Sequence, residues 1–452
     1  MTTPECPNIL YIYTDQQSAN AMSATGNPDL HTPAMDRLAA EGMRFDIAYC
    51  TFPVCTPSRA SMFSGFWPHQ CGITWNEQSM TEQARREGIG NHLAAHGYEC
   101  AYAGKWHVPW CTPMEDGHGF EVLSNFDDNA LVGALVAFLE RKRDKPFFAV
   151  ASFDDPHSIC EVANGMPLPW GPLPVPDSLE DCPPLPANYM VPPYEPEPVA
   201  AMRNSRRTPD EWRRYRYAYH RIVERVDAKV GEILAALDRL GLADSTLVVF
   251  ASDHGENQGA HRLQAKLTLN DESARVPLIV RWPGRIAAGS VDASHPVSAG
   301  LDLYPTLCAC AGIPLPGERP GLSLRPLLEG HEPDTWREGV ITMTRSNANG
   351  PHGRMVRTAR HKYIAYERGE HREQLFDMLA DPGEMVNLAV CNRHHAILQR
   401  HRDLLRDWCR QTGDAFGYHY THPRVPFLVP GDEYPEDSGG LPDGVGPTHP
   451  PL

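Results

Sequence analysis

The chain has 452 residues, 41% of them hydrophobic and 22% charged, the composition of an ordinary globular protein long enough for one large domain and a smaller one. A formal net charge of −16 argues against nonspecific nucleic-acid binding, which needs a basic face, and mildly disfavours long polyanionic substrates unless positive charge gathers in a cleft. No stretch reaches the apolar length that spans a bilayer.

In chain order, the first seven residues carry neither a basic region nor an apolar core, so no secretory signal is visible. Twelve cysteines lie without a paired-spacing framework; Cys308 and Cys310 are close, but their spacing is not a usual zinc motif. Free thiols in a cytoplasmic protein are the expectation. Residues 8–13 form an apolar run suited to a strand. Thr32 and Pro33 open a helix as N-cap and first helical residue, and Gly42 closes it. Residues 58–63 read as a helix ending at Gly65, with Cys55 in the turn just before it.

Residues 91–96 read as a helix end before Gly97, 98–103 as a strand, 129–143 as a helix and 146–153 as a strand. Between 159 and 198 prolines crowd the chain, predicting a long irregular insertion. A helix over 211–240 ends at Gly241 and leads into a strand over 246–251. Continuous apolar strands separated by helices indicate a sheet buried on both faces. The fold class is therefore α/β: a large, mostly parallel mixed sheet sandwiched by helices. After about residue 330 the rhythm shifts to short strands, 355–358 and 362–366, then a helix near 396–408. The expected division is a catalytic domain over 1–335, an α+β subdomain with a short antiparallel sheet over 336–425, and a Pro/Gly-rich tail over 426–452.

In an open α/β sheet, ligands bind beyond the carboxyl ends of the strands. Two apolar strands end in Asp15-Gln16 and Asp253-His254, oxygen donors suited to a hard cation, although His is less typical there and either Asp could instead cap the following turn. Lys105 and His107 follow the 98–103 strand and would project to one side if the chain stays extended, offering a fixed cation beside a titratable group. Asp154-Asp155-Pro156-His157 brings a second His to the same sheet edge, with Asp155 equally suited to a turn. Lys266 follows a short loop after His254. At a helix start Cys55 would gain a lowered thiol pKa, though a lone cysteine is more often a small core residue.

Cys55-Thr56-Pro57-Ser58-Arg59, continuing Ala60-Ser61-Met62-Phe63-Ser64-Gly65, resembles the Cys-x-Pro-x-Arg signature of the type I, formylglycine-dependent sulfatases of the alkaline phosphatase superfamily. Gly104-Lys105-Trp106-His107, Pro156-His157, Ser252-Asp253-His254-Gly255, Gly259-Ala260-His261 with Lys266, and Glu272 through Pro277 fall in the family's order. Leu375-Phe376-Asp377, Asp381 through Glu384 and Asn387-Leu388 are similar to its C-terminal domain.

The resemblance implies a sulfuric ester hydrolase in which a maturase oxidises Cys55 to formylglycine. It implies a divalent metal, most often Ca²⁺ with Mg²⁺ or Mn²⁺ as alternatives, held by Asp15, Gln16, Asp253 and His254, with modified Cys55 completing the shell. Many members carry Asp in place of Gln16 and Asn in place of His254; a neutral Gln16 predicts weaker Ca²⁺ binding. By the same resemblance, Arg59 holds the aldehyde hydrate, Lys105 and Lys266 neutralise the sulfuryl oxygens, His157 protonates the departing alcohol and His107 deprotonates the remaining hydroxyl. A phosphonate monoester or phosphodiester hydrolase is the alternative within the superfamily, and a metal-binding module without catalysis the alternative outside enzymes. Arg345, Asn347, Asn349, His352 and Arg354 are candidate substrate contacts, whose polar character suits a small sulfated mono- or oligosaccharide better than an aryl sulfate, though they could equally form a solvated loop.

Overall fold

The computed structural model describes residues 6–108, 117–203 and 205–416. The tail assigned to 426–452 lies outside the described residues. Eight strands form the main sheet in the spatial order Glu121–Ser124, Glu99–Gly104, Phe147–Pro156, Asn8–Asp15, Thr246–Ser252, Leu278–Arg281, Met43–Phe45, Ser290–Asp292. Every neighbouring pair is parallel except the two made by Leu278–Arg281, which runs against both of its neighbours. The mixed, mostly parallel sheet matches the α/β expectation.

The central strands are buried on both sides, which is why they read as unbroken apolar runs. Side chains still alternate between two cores. Ile9, Tyr11 and Tyr13 join Phe63, Tyr102 and Tyr304 on one face. Leu10 and Ile12 face the other, against Tyr219, Val223, Val226 and Val230 of the long helix Pro209–Arg239. That helix begins two residues before the expected 211, because Thr208 and Glu211 form a capping box ahead of Pro209.

The helix Pro33–Glu41 starts where Thr32-Pro33 predicts, but Thr32 makes no side-chain cap. Asp227 caps it from the long helix instead, accepting from the backbone N–H groups of Ala34 at 3.1 Å and Met35 at 2.8 Å. The helix expected over 129–143 runs Asp128–Leu139, capped by Asp127. The insertion over 159–198 is mostly irregular, as its prolines predict, yet it opens with the helix Ile159–Ala163 and contains a 3₁₀ turn at Leu179–Asp181.

A second sheet of four antiparallel strands, Gly339–Arg345, His352–Thr358, His361–Tyr366 and Glu373–Asp377, follows in simple order, with the helix His395–Thr412 against it. It is tied to the first part of the chain at the active-site end. Met343 N–H donates to the Thr51 carbonyl at 2.8 Å, and the Thr344 hydroxyl to the Leu267 carbonyl at 2.5 Å. Among the described residues all eleven cysteines are free thiols, and no helix is long and apolar enough to cross a membrane.

Candidate active site

Strands Asn8–Asp15 and Thr246–Ser252 run side by side with Thr14 opposite Ser252, so Asp15 and Asp253 leave the sheet together. The backbone turns at once: Gln16 has φ 74°, and its N–H donates to Asp253 Oδ1 at 3.1 Å. Cys55 is the first residue of the helix Cys55–Ser64, not part of a turn ahead of it. The helix starts three residues earlier than read because Val54 is extended and Pro57 falls in the first turn, where a missing N–H costs nothing. The thiol therefore sits on the helix's N-terminal amides, which favour negative charge. All ten residues of this helix are buried, and the Ser58 hydroxyl anchors it to the Asp253 carbonyl at 2.6 Å.

One helical turn on, Arg59 is fully buried between the two carboxylates. Its Nε donates to Asp253 Oδ2 at 2.7 Å, one terminal nitrogen to Asp15 Oδ2 at 2.9 Å and the other to the Lys105 carbonyl at 2.7 Å. The guanidinium thus takes the Oδ2 atom of each Asp and leaves both Oδ1 atoms turned to His254 Nε2, at 3.5 and 3.6 Å. Cys55 Sγ lies 3.3 Å from the same nitrogen and 3.5 Å from Asp15 Oδ1. One ligand atom each from Asp15, Cys55, Asp253 and His254 falls within 4.8 Å of the others, all four residues buried. His254 Nδ1 meets the Gly255 carbonyl at 3.0 Å, and a carbonyl only accepts, so Nδ1 carries a proton and Nε2 is the atom turned to the cluster. Two carboxylate oxygens, an imidazole nitrogen and the heteroatom of residue 55 make a donor set that fits a divalent cation.

Two lysines complete the charge pattern. Lys105 Nζ lies 2.7 Å from Asp15 Oδ2 and 3.0 Å from Asp154 Oδ1; Lys266 Nζ lies 3.1 Å from Cys55 Sγ. Burial pushes the Cys55 thiol up, but Lys266, Lys105, His254 and a hydrogen bond with His107 outweigh it and hold the thiol well below its ordinary value. Burial and Cys55 push Asp15 up, yet Lys105, His157 and Arg59 keep its carboxyl well below the usual carboxylate range. Burial, then repulsion from Asp15, raises Asp253. The net field at residue 55 favours an anion.

A family model described as Sulfatase matches residues 7–313. This chain belongs to the sulfatase family. A second model, N-sulphoglucosamine sulphohydrolase, C-terminal, matches residues 259–411 of this sulfatase. It is similar to a Delta 4,5-hexuronate-2-O-sulfatase of Bacteroides thetaiotaomicron, 32% identical over 91% of this chain and 90% of that one. An ulvan-active sulfatase of Formosa agariphila is 30% identical, covering 85% of this chain and 77% of its own length. Among solved structures, a 2-O GAG sulfatase superposes with a TM-score of 0.82 at 30% identity, over 91% of this chain and 93% of that one. A phosphonate monoester hydrolase of Agrobacterium radiobacter, at 23% identity and a TM-score of 0.74 over 90% of this chain and 96% of that one, shares the fold. The sulfatase is accordingly a hydrolase of sulfuric esters.

The structure gathers Asp15, Gln16, Cys55, Arg59, Lys105, Asp253, His254 and Lys266 at one place, with His107 and His157 at its edge. The chain does not stay extended through Lys105 and His107, yet both side chains reach the Cys55 site. The strand ends at Gly104 with φ 98° and His107 turns with φ 45°, so Lys105 is buried on Asp15 while His107 is exposed. His157 is a quarter exposed, with Nδ1 3.9 Å from Asp154 Oδ1. Gln16 sits at the cluster, but its amide oxygen accepts from Lys266 Nζ at 2.8 Å.

The candidate substrate contacts divide. Arg345 and His352 face each other at the end of the antiparallel sheet, next to the Thr344 bond to Leu267, and Asn347 and Asn349 occupy the intervening turn. Arg354 is corrected: it is buried and donates to Asp414 at 2.8 and 3.2 Å, a structural pair that leaves its guanidinium facing the protein. The sequence assigns no role to Glu256, two residues beyond His254, or to Asp154, which joins Lys105 to His157 and accepts from Trp170 Nε1 at 3.2 Å. Their signal is position alone, each within three residues of a named histidine.

Proposed function

We propose that this sulfatase removes sulfate from a small sulfated carbohydrate, with Cys55 as the precursor of a formylglycine and Ca²⁺ at the Asp15–Asp253–His254 cluster. The observation that carries this reading is the Cys55 position, fixed at a helix start where Lys266 approaches at 3.1 Å and two carboxylate Oδ1 atoms converge on His254. The buried, cation-flanked cysteine of a Cys-x-Pro-x-Arg run suits a maturase substrate before folding closes over it. The sugar assignment is supported by the relatives, which are described as hexuronate, ulvan and GAG sulfatases.

A bound Ca²⁺ would be held by the Oδ1 atoms of Asp15 and Asp253 and Nε2 of His254, and would polarise the sulfate oxygens. The oxidised residue 55 supplies the attacking hydroxyl. This chain's own side chains do the rest. Arg59 holds Asp15 and Asp253 apart and oriented, and Lys105 and Lys266 offer fixed positive charge to the sulfate oxygens. His157, close to Asp154, protonates the leaving alcohol oxygen, and His107 takes the proton from residue 55; each such transfer contributes about 10²- to 10⁴-fold.

The test is sulfate release from a panel of sulfated mono- and disaccharides, with an aryl sulfate and a phosphonate monoester in parallel, and intact mass of the Cys55 peptide. Turnover of one sulfated sugar above the other classes, and loss of turnover in Cys55→Ala with an unchanged melting temperature, are the expected results. An active Cys55→Ala enzyme refutes the assignment of residue 55. Preference for the phosphonate ester refutes the assignment of substrate.

A further inference from the structure

Gln16 contributes no charge to the metal cluster, and the orientation of an amide is not fixed by its shape, because its oxygen and nitrogen ends are nearly isosteric. Lys266 only donates, so it takes the oxygen end, and the nitrogen end then needs an acceptor of its own. Glu256 is completely buried beside it. Its Oε2 accepts from Gln16 Nε2 at 2.6 Å, and its Oε1 accepts from the Tyr215 hydroxyl at 2.9 Å, from Ala265 N–H at 2.7 Å and from Gln258 N–H at 3.3 Å. A carboxylate only accepts, so the Gln16 amide must present its NH₂ to Glu256 and its oxygen to Lys266, where the contact is 2.8 Å. Lys266 in turn reaches Cys55 Sγ at 3.1 Å.

The same carboxylate also holds the Lys266 loop through its backbone. Ala265 and Leu267, on either side of Lys266, both have left-handed conformations, with φ 60° and 84°. Such a backbone persists only where its surroundings enforce it. Ala265 N–H is tied to Glu256, and Leu267 is tied through its carbonyl to Thr344.

We propose that Glu256 is a positioning residue, which sets the polarity of the Gln16 amide and the place of Lys266 through a buried relay from Tyr215 to Cys55. Its negative charge lies one hydrogen bond behind Gln16, so it makes the Gln16 oxygen a better acceptor and offsets the missing carboxylate at that position. This accounts for a neutral residue at the metal cluster. The inference rests on the sulfatase reading of the site.

The relay predicts a reciprocal rescue. In Glu256→Gln, an oxygen kept on Ala265 N–H turns the new NH₂ toward the NH₂ of Gln16, two donors facing each other. Relief requires the Gln16 amide to flip and point a donor at the Lys266 ammonium. In Gln16→Glu, two carboxylates face each other across the 2.6 Å contact. In the double variant, Gln16→Glu with Glu256→Gln, the bond between positions 16 and 256 returns with its polarity reversed, while Lys266, Tyr215 and Ala265 N–H still donate as before. The new amide at position 256 would donate to the new carboxylate at position 16, which accepts from Lys266.

The experiment measures kcat/KM on a sulfate ester and, independently, Ca²⁺ affinity by calorimetry of metal-stripped protein, for wild type, both single variants and the double variant. Each single variant is expected to lose about 10- to 100-fold in activity or metal affinity, the usual range when a partner hydrogen-bonded behind a metal site is altered. The double variant is expected to recover most of the loss. A double variant no better than the worse single variant, or a Glu256→Gln protein equal to wild type, overturns the proposal. If Glu256→Gln fails to fold, the comparison of Gln16→Glu with the double variant decides it. Wild-type protein that binds Ca²⁺ but releases no sulfate would refute the sulfatase reading, while the calorimetric cycle still decides the relay.

Discussion

Arg59 shows how much one residue carries in this site. Its guanidinium is fully buried and bridges Asp15 and Asp253, and no lysine has a second nitrogen to span both carboxylates. Arg59→Lys should abolish measurable turnover and lower stability by about 3–5 kcal/mol, the cost of breaking a buried ion pair, read by thermal or denaturant unfolding. A folded, active Arg59→Lys enzyme would contradict that role. His220 acts through protonation. Burial, with Arg216 and Arg221 nearby, pushes its pKa down to about 3, below the ordinary value of 6.5. The folded state therefore prefers the neutral ring. That contribution is complete above pH 6.5 and is lost as the pH falls toward 3. At pH 5 the cost is on the order of 2 kcal/mol. Melting temperature should fall between pH 7 and pH 5 and do so less steeply in His220→Gln; equal slopes would rule this out.

Elements place these residues by ending where they do. Gly104 closes its strand with φ 98°, and a Cβ there would sit 2.1 Å from the Ser152 carbonyl oxygen of the neighbouring strand. Only glycine allows the chain to leave the sheet this way, and Lys105 is the next residue. Gly104→Ala is expected to cost on the order of 3 kcal/mol and to lower kcat/KM as Lys105 shifts from Asp15, measured by unfolding and kinetics on the same preparation. The strands ending in Asp15 and Asp253 and the order of the motifs were legible as apolar runs and local patterns. The start of the Cys55 helix was not, because Val54 reads as an ordinary apolar residue and the N-terminus depends on its extended backbone. Thr32 shows the same limit: its local pattern marks the helix start, but Asp227, distant in sequence, provides the cap.

At the scale of the molecule, the second sheet shares a core with loop residues of the first part of the chain. Phe52, Val54, Trp67 and Leu301 pack in one cluster with Ile341, Met343, Tyr363, Leu375 and Leu405. Lys362 of the second sheet is fully buried, 2.8 Å from both Asp271 and Glu384. A division near residue 335 would expose that cluster and strand the buried charges. We therefore expect one cooperative unfolding transition, with calorimetric and van't Hoff enthalpies agreeing, and an insoluble or unfolded 1–335 fragment. Two resolved transitions would show that the parts fold independently.

The sequence by itself determined the α/β class, the family signature around Cys55, and most of the residues gathered in the site, because apolar periodicity and short motifs are local properties of the chain. It could not assign the buried Arg354–Asp414 pair, the capping by Asp227, or the Glu256 contact with Gln16. Those partners are 60, 192 to 193 and 240 residues apart, respectively, and meet only through the sheet order and the packing of helices on each other and on the sheets. Hydrogen bonding and charge compensation depend on which atoms share a buried space, and tertiary packing decides that.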